Sequence, residues 1–315
     1  MDIFKDAADD LIREQLQEKE SEMKEANVWK AETADTKPTN FVKMPDVGWK
    51  VLPTGNLPSK GLFYPAGFEI EIKPATAKEI RHFSSVDDND PIDLYDKLNF
   101  IIKNGTRVKI QGRPASYKDL LDVDRFSVVY AIRQLTFKES PNLSSEMTCH
   151  ECGTVNVVNI TNDNFLNFEL DERIMKYYDS AEQVFNFKMS DDFEFKLYMP
   201  NIGLSEFVSN YVQTNARKGN FIDKDFINMS TFICPSYKKL NNALFKKISM
   251  DTLNWTAEQI RVVVGVIDII RESMDANVTF VCKSCEEENK QAFTFRSSAK
   301  ELFLITRDDI FSKLS

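Results

Sequence analysis

The sequence predicts an α+β protein built from helical bundle segments and small antiparallel sheets. Apolar residues recur at helical spacing over several stretches, among them residues 116–137 and 256–274. Shorter stretches alternate apolar and polar side chains, as FEIEI does at residues 68–72. A Cys-x-x-Cys pair follows each of the two long helical stretches and is itself followed by a strand-like stretch. This arrangement indicates two similar halves.

Length and composition indicate a folded protein of about two domains that is made in the cytoplasm. The chain has 315 residues, of which 42% are apolar, which is enough for a buried core. It has no uncharged apolar run long enough for a membrane, about 18 residues, and MDIFKDAADD is acidic where a secretory leader is basic. The net charge of -9 argues against nucleic-acid binding, since that affinity comes mainly from Lys and Arg. We therefore expect neither a membrane nor a nucleic acid as a partner.

Residues 1–30 have the pattern of an amphipathic helix, and residues 31–47 have the composition of a polar linker. Apolar side chains, including Phe4 and Leu11, recur at helical spacing among acidic residues. A terminal helix with no adjacent core is typical of a docking element, so Phe4 and Leu11 are predicted to contact a partner. The alternative is that the helix packs back on its own domain.

Residues 48–75 are predicted to form an extended, turn-rich arm with one strand. Four prolines and four glycines surround the strand FEIEI, and Pro58 and Gly61 predict a turn. The apolar side chains beside this turn must be buried either in the fold or under a partner, and the sequence leaves both open. The candidate partner-binding residues of the segment are Leu57, Pro58, Lys60, Leu62, Phe63 and Tyr64.

Residues 76–315 are predicted to form one α+β domain. Thr76 followed by Glu79 matches a capping box and predicts a helix start, and a second helix is bounded by Pro91 and Gly105. A third helix is predicted at residues 116–137. Later strand-like stretches are at residues 155–160, 184–189 and 193–200. Later helical stretches are at residues 204–216, 226–248 and 256–274.

Four cysteines form a candidate metal site within this domain. Cys149 and Cys152 lie in TCHECG, and Cys282 and Cys285 lie in VCKSCE. A two-residue gap lets both sulfurs of a turn face one point, so two such turns can enclose a structural Zn(II) ion in a zinc-ribbon-like site of four cysteines. The 129 residues between the pairs, against about 15 to 20 in compact zinc motifs, would make the ion a clip between distant parts of the chain.

Other interpretations of the cysteines stay open. The pairs can be reduced and unliganded, or can form a redox site, although neither begins a helix after a buried strand. Four thiolates also suit iron. Cys234 follows Phe232 and Ile233 and is predicted to be a buried core thiol. His150 is expected to hydrogen-bond near the site or to be solvated, and His82 to be half exposed on a helix.

No catalytic motif is present in the sequence. It lacks phosphate-binding loops of the GxxxxGK[ST] and GxGxxG forms, and it lacks HExxH and GxSxG. A closed four-thiolate site has no open position for water. The chain is therefore predicted not to be an enzyme and to have no small-molecule substrate.

The segment GNLPSKGLFYP, the strand after it and the two cysteine pairs together resemble the baseplate hub subunits and hub-assembly proteins of T-even type contractile-tailed bacteriophages. The resemblance spans residues 45–305. It is carried mainly by Leu57, Pro58, Ser59, Lys60, Gly61, Tyr64 and Pro65. It implies a structural or assembly protein of the virion tail baseplate, present in the host cytoplasm during assembly. Its partners would be other baseplate and tail proteins in a hetero-oligomeric assembly.

Two further function classes stay open at this point. One is a zinc-ribbon module that binds nucleic acid, which the acidic EEEN after Cys285 disfavours. The other is an enzyme, which would need a cleft with a perturbed ionisable group.

Overall fold

The computed structural model describes residues 48–87, 90–137, 143–160, 170–274, 277–292 and 300–303. All of them belong to one unit of the chain, which begins at Gly48. Phe4, Leu11 and the predicted linker lie outside the described residues.

Helices alternate with short antiparallel strands along the chain, which confirms the predicted α+β fold. The strands are β1 (Lys50–Leu52), β2 (Phe68–Ile72), β3 (Thr106–Ile110), β4 (Arg113–Ala115), β5 (Ser144–Thr148), β6 (Val155–Asn159), β7 (Tyr178–Asp179), β8 (Val184–Ser190), β9 (Phe193–Leu197), β10 (Asn277–Val281) and β11 (Glu288–Ala292). The helices are α1 (Ala77–Ser84), α2 (Pro91–Gly105), α3 (Arg125–Thr136), α4 (Glu172–Met175), α5 (Ile202–Arg217), α6 (Lys224–Ile233), α7 (Asn242–Thr252) and α8 (Ala257–Met274).

The first sheet has the strand order β1-β2-β3-β4 and is antiparallel throughout. In β2 the side chains of Phe68, Ile70 and Ile72 are buried, whereas Glu69 is exposed, as the alternation in FEIEI predicts. The predicted extended arm at residues 48–75 is therefore part of the domain. The physical reason is that β2 satisfies its backbone hydrogen bonds on both edges, with β1 on one side and β3 on the other.

Two predicted helix boundaries are confirmed. Thr76 and Glu79 form a capping box at the start of α1. Gly105 ends α2, but its role there is close packing. A Cβ atom at Gly105 would lie 2.9 Å from Cδ1 of Ile132 on α3, so a glycine lets the two helices approach each other closely.

Residues 57–64 fold back on the core of the same chain. The turn places two residues in the left-handed region of the backbone, Lys60 with a φ angle of 51° and Gly61 with 77°. Glycine adopts this conformation without strain. Four side chains that were candidates for partner contact are instead buried in the domain, namely Leu57, Pro58, Phe63 and Tyr64. Those four are core residues, because the chain itself covers the apolar cluster. Lys60 and Leu62 are the exposed members of the predicted set.

A buried carboxylate, Asp124, holds this segment in place. The Ser59 N–H donates to its Oδ1 (2.9 Å), and the Ser59 and Tyr64 hydroxyls donate to its Oδ2 (2.6 and 2.8 Å). The Tyr64 oxygen in turn accepts the Leu121 N–H (3.1 Å). Burial raises the pKa of Asp124 to about 6, and the hydrogen bonds from Ser59 and Tyr64 oppose that shift. The turn is thereby tied to the residue that precedes α3.

The second half of the described chain contains the sheet β7-β8-β9 and the helices α4 to α8. Buried residues of α5, α6 and α7 form a cluster of their own, which includes Cys234. Cys234 is 1% exposed, and burial raises the pKa of its thiol to about 12. Cys234 is thus the predicted core thiol, and it stays protonated at neutral pH.

Helix α8 presents Val263, Ile267 and Ile270 to the main core. The partly buried side chains of Ile260, Val262, Val264, Val266 and Ile269 also pack against this core, so α8 contributes a broad apolar surface to it. Among the described residues no helix combines the length and apolar character that crossing a bilayer requires.

Replacing Tyr64 with phenylalanine is predicted to lower the free energy of unfolding more at pH 8 than at pH 5. Because the pKa of Asp124 is about 6, its carboxyl is ionised at pH 8, where a hydrogen bond to it contributes about 1.5–3 kcal/mol. At pH 5 the carboxyl is mostly neutral, and the lost bond is worth about 0.5–1.5 kcal/mol. Urea unfolding at both pH values measures the difference.

Tyr211→Phe is the matched control, since the Tyr211 ring packs on Phe245 away from this carboxylate. Its effect should not change between the two pH values. In the unsubstituted protein the pKa of Asp124 is raised above its ordinary value of 3.8. The folded state therefore binds this proton more tightly, and the stability that the group contributes falls as the pH rises from about 4 to 6. Equal losses for Tyr64→Phe at pH 5 and pH 8 would contradict the prediction.

Candidate metal centre

Two β-hairpins of the same form carry the four cysteines. The first consists of β5 and β6 and the second of β10 and β11. Each strand boundary of the first recurs 133 positions later in the second, as Ser144 and Asn277 show for the first strands. The strand pairing keeps the same offset. Helix α3 precedes one hairpin and α8 the other. The similar halves noted in the sequence are thus one helix–hairpin arrangement that occurs twice.

Each cysteine pair lies in the turn at the tip of its hairpin. In the first turn the Cys149 N–H donates to the Thr154 carbonyl (2.9 Å), and the Gly153 N–H donates to the Cys149 carbonyl (3.1 Å). The second turn makes the same two bonds 133 positions later, at 2.9 and 3.0 Å. Gly153 and Glu286 occupy equivalent positions with φ angles of 69° and 61°. In each turn both cysteine side chains therefore point toward the other turn.

The four sulfur atoms converge on one point. Cys149 Sγ lies 3.6 Å from Cys285 Sγ, and Cys152 Sγ lies 3.6 Å from Cys282 Sγ. All four sulfurs lie within 4.8 Å of one another. In a thiolate tetrahedron with Zn–S bonds of about 2.3 Å, neighbouring sulfurs are about 3.8 Å apart, so the spacing suits a single ion at the centre. The predicted convergence of the two pairs is confirmed.

Backbone N–H groups of the turns favour the thiolate form of the first cysteine in each pair. A hydrogen bond from the Cys152 N–H is the main cause that lowers the pKa of Cys149. The Cys285 and Ser284 N–H groups lower the pKa of Cys282 to about 6. Cys149 and Cys282 are also buried, at 2% and 1% exposure. A sulfur ligand must be deprotonated, so the turns prepare these two sulfurs to bind a metal.

Asn156 on β6 connects the first hairpin to the second. Its Oδ1 accepts the Lys283 N–H of the opposite turn (2.9 Å). Its Nδ2 donates to Cys282 Sγ (3.6 Å) and to the Thr154 carbonyl of its own turn (2.9 Å). The side chain is 2% exposed. The Asn156 amide therefore connects its own turn to the second turn, where it contacts both a backbone N–H and a sulfur.

Asn289 on β11 makes the reciprocal bonds. Its Oδ1 accepts the His150 N–H (3.0 Å), and its Nδ2 donates to Cys149 Sγ (3.5 Å) and to the Glu287 carbonyl (2.9 Å). It is 3% exposed. The sequence prediction missed both asparagines. The signal for them is their spacing, since each lies seven positions after the first cysteine of its own hairpin.

The histidines and the fifth cysteine are not among the possible ligands. His150 is exposed, and its backbone N–H, not its ring, is engaged by Asn289. The His82 ring packs 4.0 Å from the Phe100 ring, and burial is the main cause that lowers its pKa. Within the described chain, the possible metal-holding group consists of Cys149, Cys152, Cys282 and Cys285. An ion held by all four would have no open position for water, so this arrangement can fasten the two hairpins together.

Comparison of the chain with protein-family models, with curated proteins and with solved structures found no match.

Gly153 and Glu286 occupy equivalent left-handed positions in the two turns, so exchanging their residue types is predicted to have opposite effects on stability. Gly153→Glu is expected to lower the free energy of unfolding by about 1 kcal/mol, because a side chain in the left-handed region is strained. A Cβ atom at Gly153 has no neighbour within 4 Å, so a clash does not contribute. Glu286→Gly is expected to raise the free energy of unfolding by about 0.5 to 1 kcal/mol, because relief of the left-handed strain, about 1–2 kcal/mol, exceeds the entropy cost of a glycine. Urea unfolding measures both.

Gly153→Gln is the control for charge, since it adds a neutral side chain of similar size beside the thiols. It should destabilise the fold about as much as Gly153→Glu. If both substitutions at position 153 leave the stability unchanged, or if Glu286→Gly lowers it, backbone strain does not distinguish the two turns.

Proposed function

We propose that this chain is a structural or assembly component of the baseplate of a contractile phage tail, in the hub region. In this proposal it acts through contacts with other baseplate and tail proteins, and a structural zinc ion holds its two hairpins together. The observation that carries the proposal is the convergence of four thiols from two hairpin turns that are 129 residues apart in the sequence. A closed site of this kind adds rigidity to a scaffold without supplying a reactive position.

The zinc part of the proposal is supported by the donor set. Four sulfurs within 4.8 Å of one another match the ligand number and softness that zinc prefers. The turns favour thiolates at Cys149 and Cys282. At Cys285 the Glu287 N–H acts in the same direction, but hydrogen bonding with the neighbouring cysteines raises its pKa to about 12 in the absence of a cation. Cys152 and Cys285 are on the exposed side, which gives an ion a route to the site.

The baseplate part is supported by the segment that carries the resemblance. Ser59 and Tyr64 are the residues that bond to the buried Asp124. A Cβ atom at Gly61 would lie 3.0 Å from Thr54 Oγ1. The residues that carry the resemblance therefore have a physical role in this fold that depends on their residue types.

Exposed apolar side chains on the hairpins support a role in protein contacts. Val155 and Val157 on β6 are 58% and 55% exposed, and Val281 on β10 is 62% exposed. In the proposal these valines supply apolar surface that a partner protein can cover. In the proposal the chain is in the host cytoplasm during assembly and in the virion tail afterwards, as part of a hetero-oligomer.

The zinc proposal predicts one zinc ion per purified chain and unfolding of the hairpins on chelation. Cys152→Ser and Cys285→Ser are expected to abolish binding, because each removes one ligand from an exposed position and leaves the core intact. Elemental analysis measures the metal, and circular dichroism in EDTA measures the fold. Cys234→Ala is the matched control, since Cys234 lies in the α5–α7 cluster, and it should keep the metal. A stable protein without metal would reject the zinc staple, and iron in its place would correct the metal.

The baseplate proposal predicts that a phage carrying a nonsense codon in this gene makes no complete tails. The expected result is free heads and unassembled tail parts by electron microscopy, with infectivity restored by the full chain. Cys234→Ala should restore it as well, whereas Cys152→Ser should not. Mass spectrometry of purified tails and of assembly intermediates then tests association. Normal tails without the protein, together with its absence from every intermediate, would overturn the proposal.

A further inference from the structure

The two hairpins exchange hydrogen bonds across the sulfur cluster in a reciprocal pattern. Asn156 reaches the sulfur of Cys282, and Asn289 reaches the sulfur of Cys149. Each amide oxygen also accepts the N–H of the residue that follows the opposite cysteine. Each hairpin thus contacts the other at a sulfur and at a backbone group.

We propose that Asn156 and Asn289 are positioning residues of the metal site, each of which holds and polarises a thiolate on the opposite hairpin. This inference rests on the proposed metal-bearing function of the four cysteines. It goes beyond that function because it assigns the retention of the ion to two residues that do not bind it.

Charge supplies the reason for N–H donors at these sulfurs. Four thiolates around a divalent ion leave an excess of negative charge, and a buried charge needs hydrogen-bonded partners. Of the four clustered cysteines, Cys149 and Cys282 are the buried ones, and they are the two that receive the asparagine N–H groups. The exposed cysteines, Cys152 and Cys285, face water, which can solvate their charge.

The burial of the two asparagines supports a role for their amides in hydrogen bonding at the site. The asparagines are 2% and 3% exposed, on short strands where apolar residues commonly face the interior. A buried amide destabilises a protein unless its hydrogen bonds are satisfied. Both amides are satisfied only through the opposite hairpin and their own turn. Partners of metal ligands commonly affect affinity about 10–100-fold.

The two roles of each amide can be separated by substitution. Asn156→Asp keeps an acceptor for the Lys283 N–H but removes the N–H donor to Cys282 and adds a negative charge. Asn156→Leu removes the donor and the acceptor without adding charge. Asn289→Asp and Asn289→Leu repeat the test on the other hairpin. Asn201→Asp is the matched control, because Asn201 caps α5 through its side-chain oxygen, and aspartate caps a helix equally well.

The experiment loads each full-length protein with zinc and measures metal release to a chromogenic chelator. All four variants at positions 156 and 289 are expected to release zinc about 10–100-fold faster than the unsubstituted chain, and Asn201→Asp at an unchanged rate. Cobalt-loaded protein supplies a second readout. A lost N–H···S bond raises the energy of the sulfur electrons, so the sulfur-to-cobalt charge-transfer band is expected to move to longer wavelength in the leucine variants.

The outcomes separate this inference from the proposed function. An unsubstituted chain that binds neither zinc nor cobalt would reject the metal site itself. A metal-binding chain whose leucine variants keep the normal release rate and cobalt spectrum would overturn the role of the asparagines and leave the metal site standing. Faster release from the aspartate variants alone would also overturn it, because added charge would then be the cause. A variant that does not fold is judged from its counterpart on the other hairpin.

Discussion

The contact between the two hairpin turns is the constraint on which the rest of the described structure depends. It brings together sulfurs and amides from turns that are 133 positions apart. The metal ion proposed for the four sulfurs would act as a cross-link. In the chain-entropy description, a cross-link that closes a loop of this length stabilises a fold by about 4–5 kcal/mol. That is comparable to a large part of the net stability of a domain. Helices α3 and α8 lead into the two hairpins, so fixing the hairpins also fixes the ends of those helices.

A second long-range attachment has a different chemistry. Asp124 joins the turn at Ser59 to the start of α3 through a buried carboxylate, and α3 then leads to the first hairpin. Apolar burial is not directional, whereas the bonds at Asp124 and at the sulfur cluster each specify which atoms must meet. The two attachments therefore determine which segments of the chain meet around an otherwise apolar core.

The sequence could predict what local chemistry determines. Alternation identified β2, Thr76 and Glu79 identified the start of α1, and equal spacing identified the four thiols as a group. The sequence could not predict that residues 48–75 belong to a sheet. One of the two strands that pair with β2 is β3, and two helices separate β2 from β3 along the chain. Whether Phe63 and Tyr64 face the core or a partner depends on Asp124, about sixty positions later. The asparagines have no local signature, and only the comparison of two hairpins at equal offset distinguishes Asn156 from other strand residues.

The distance between the hairpins along the chain also determines when their contacts can form during synthesis. A ribosome adds about 5–20 residues per second, so the second turn emerges about 7–27 s after the first. In that interval Asn156 Oδ1 has no N–H of the second turn from which to accept a hydrogen bond. Cys149 and Cys152 likewise have no sulfurs of the second turn beside them. The first pair of thiols therefore remains uncovered by the second turn until the rest of the polypeptide has left the ribosome.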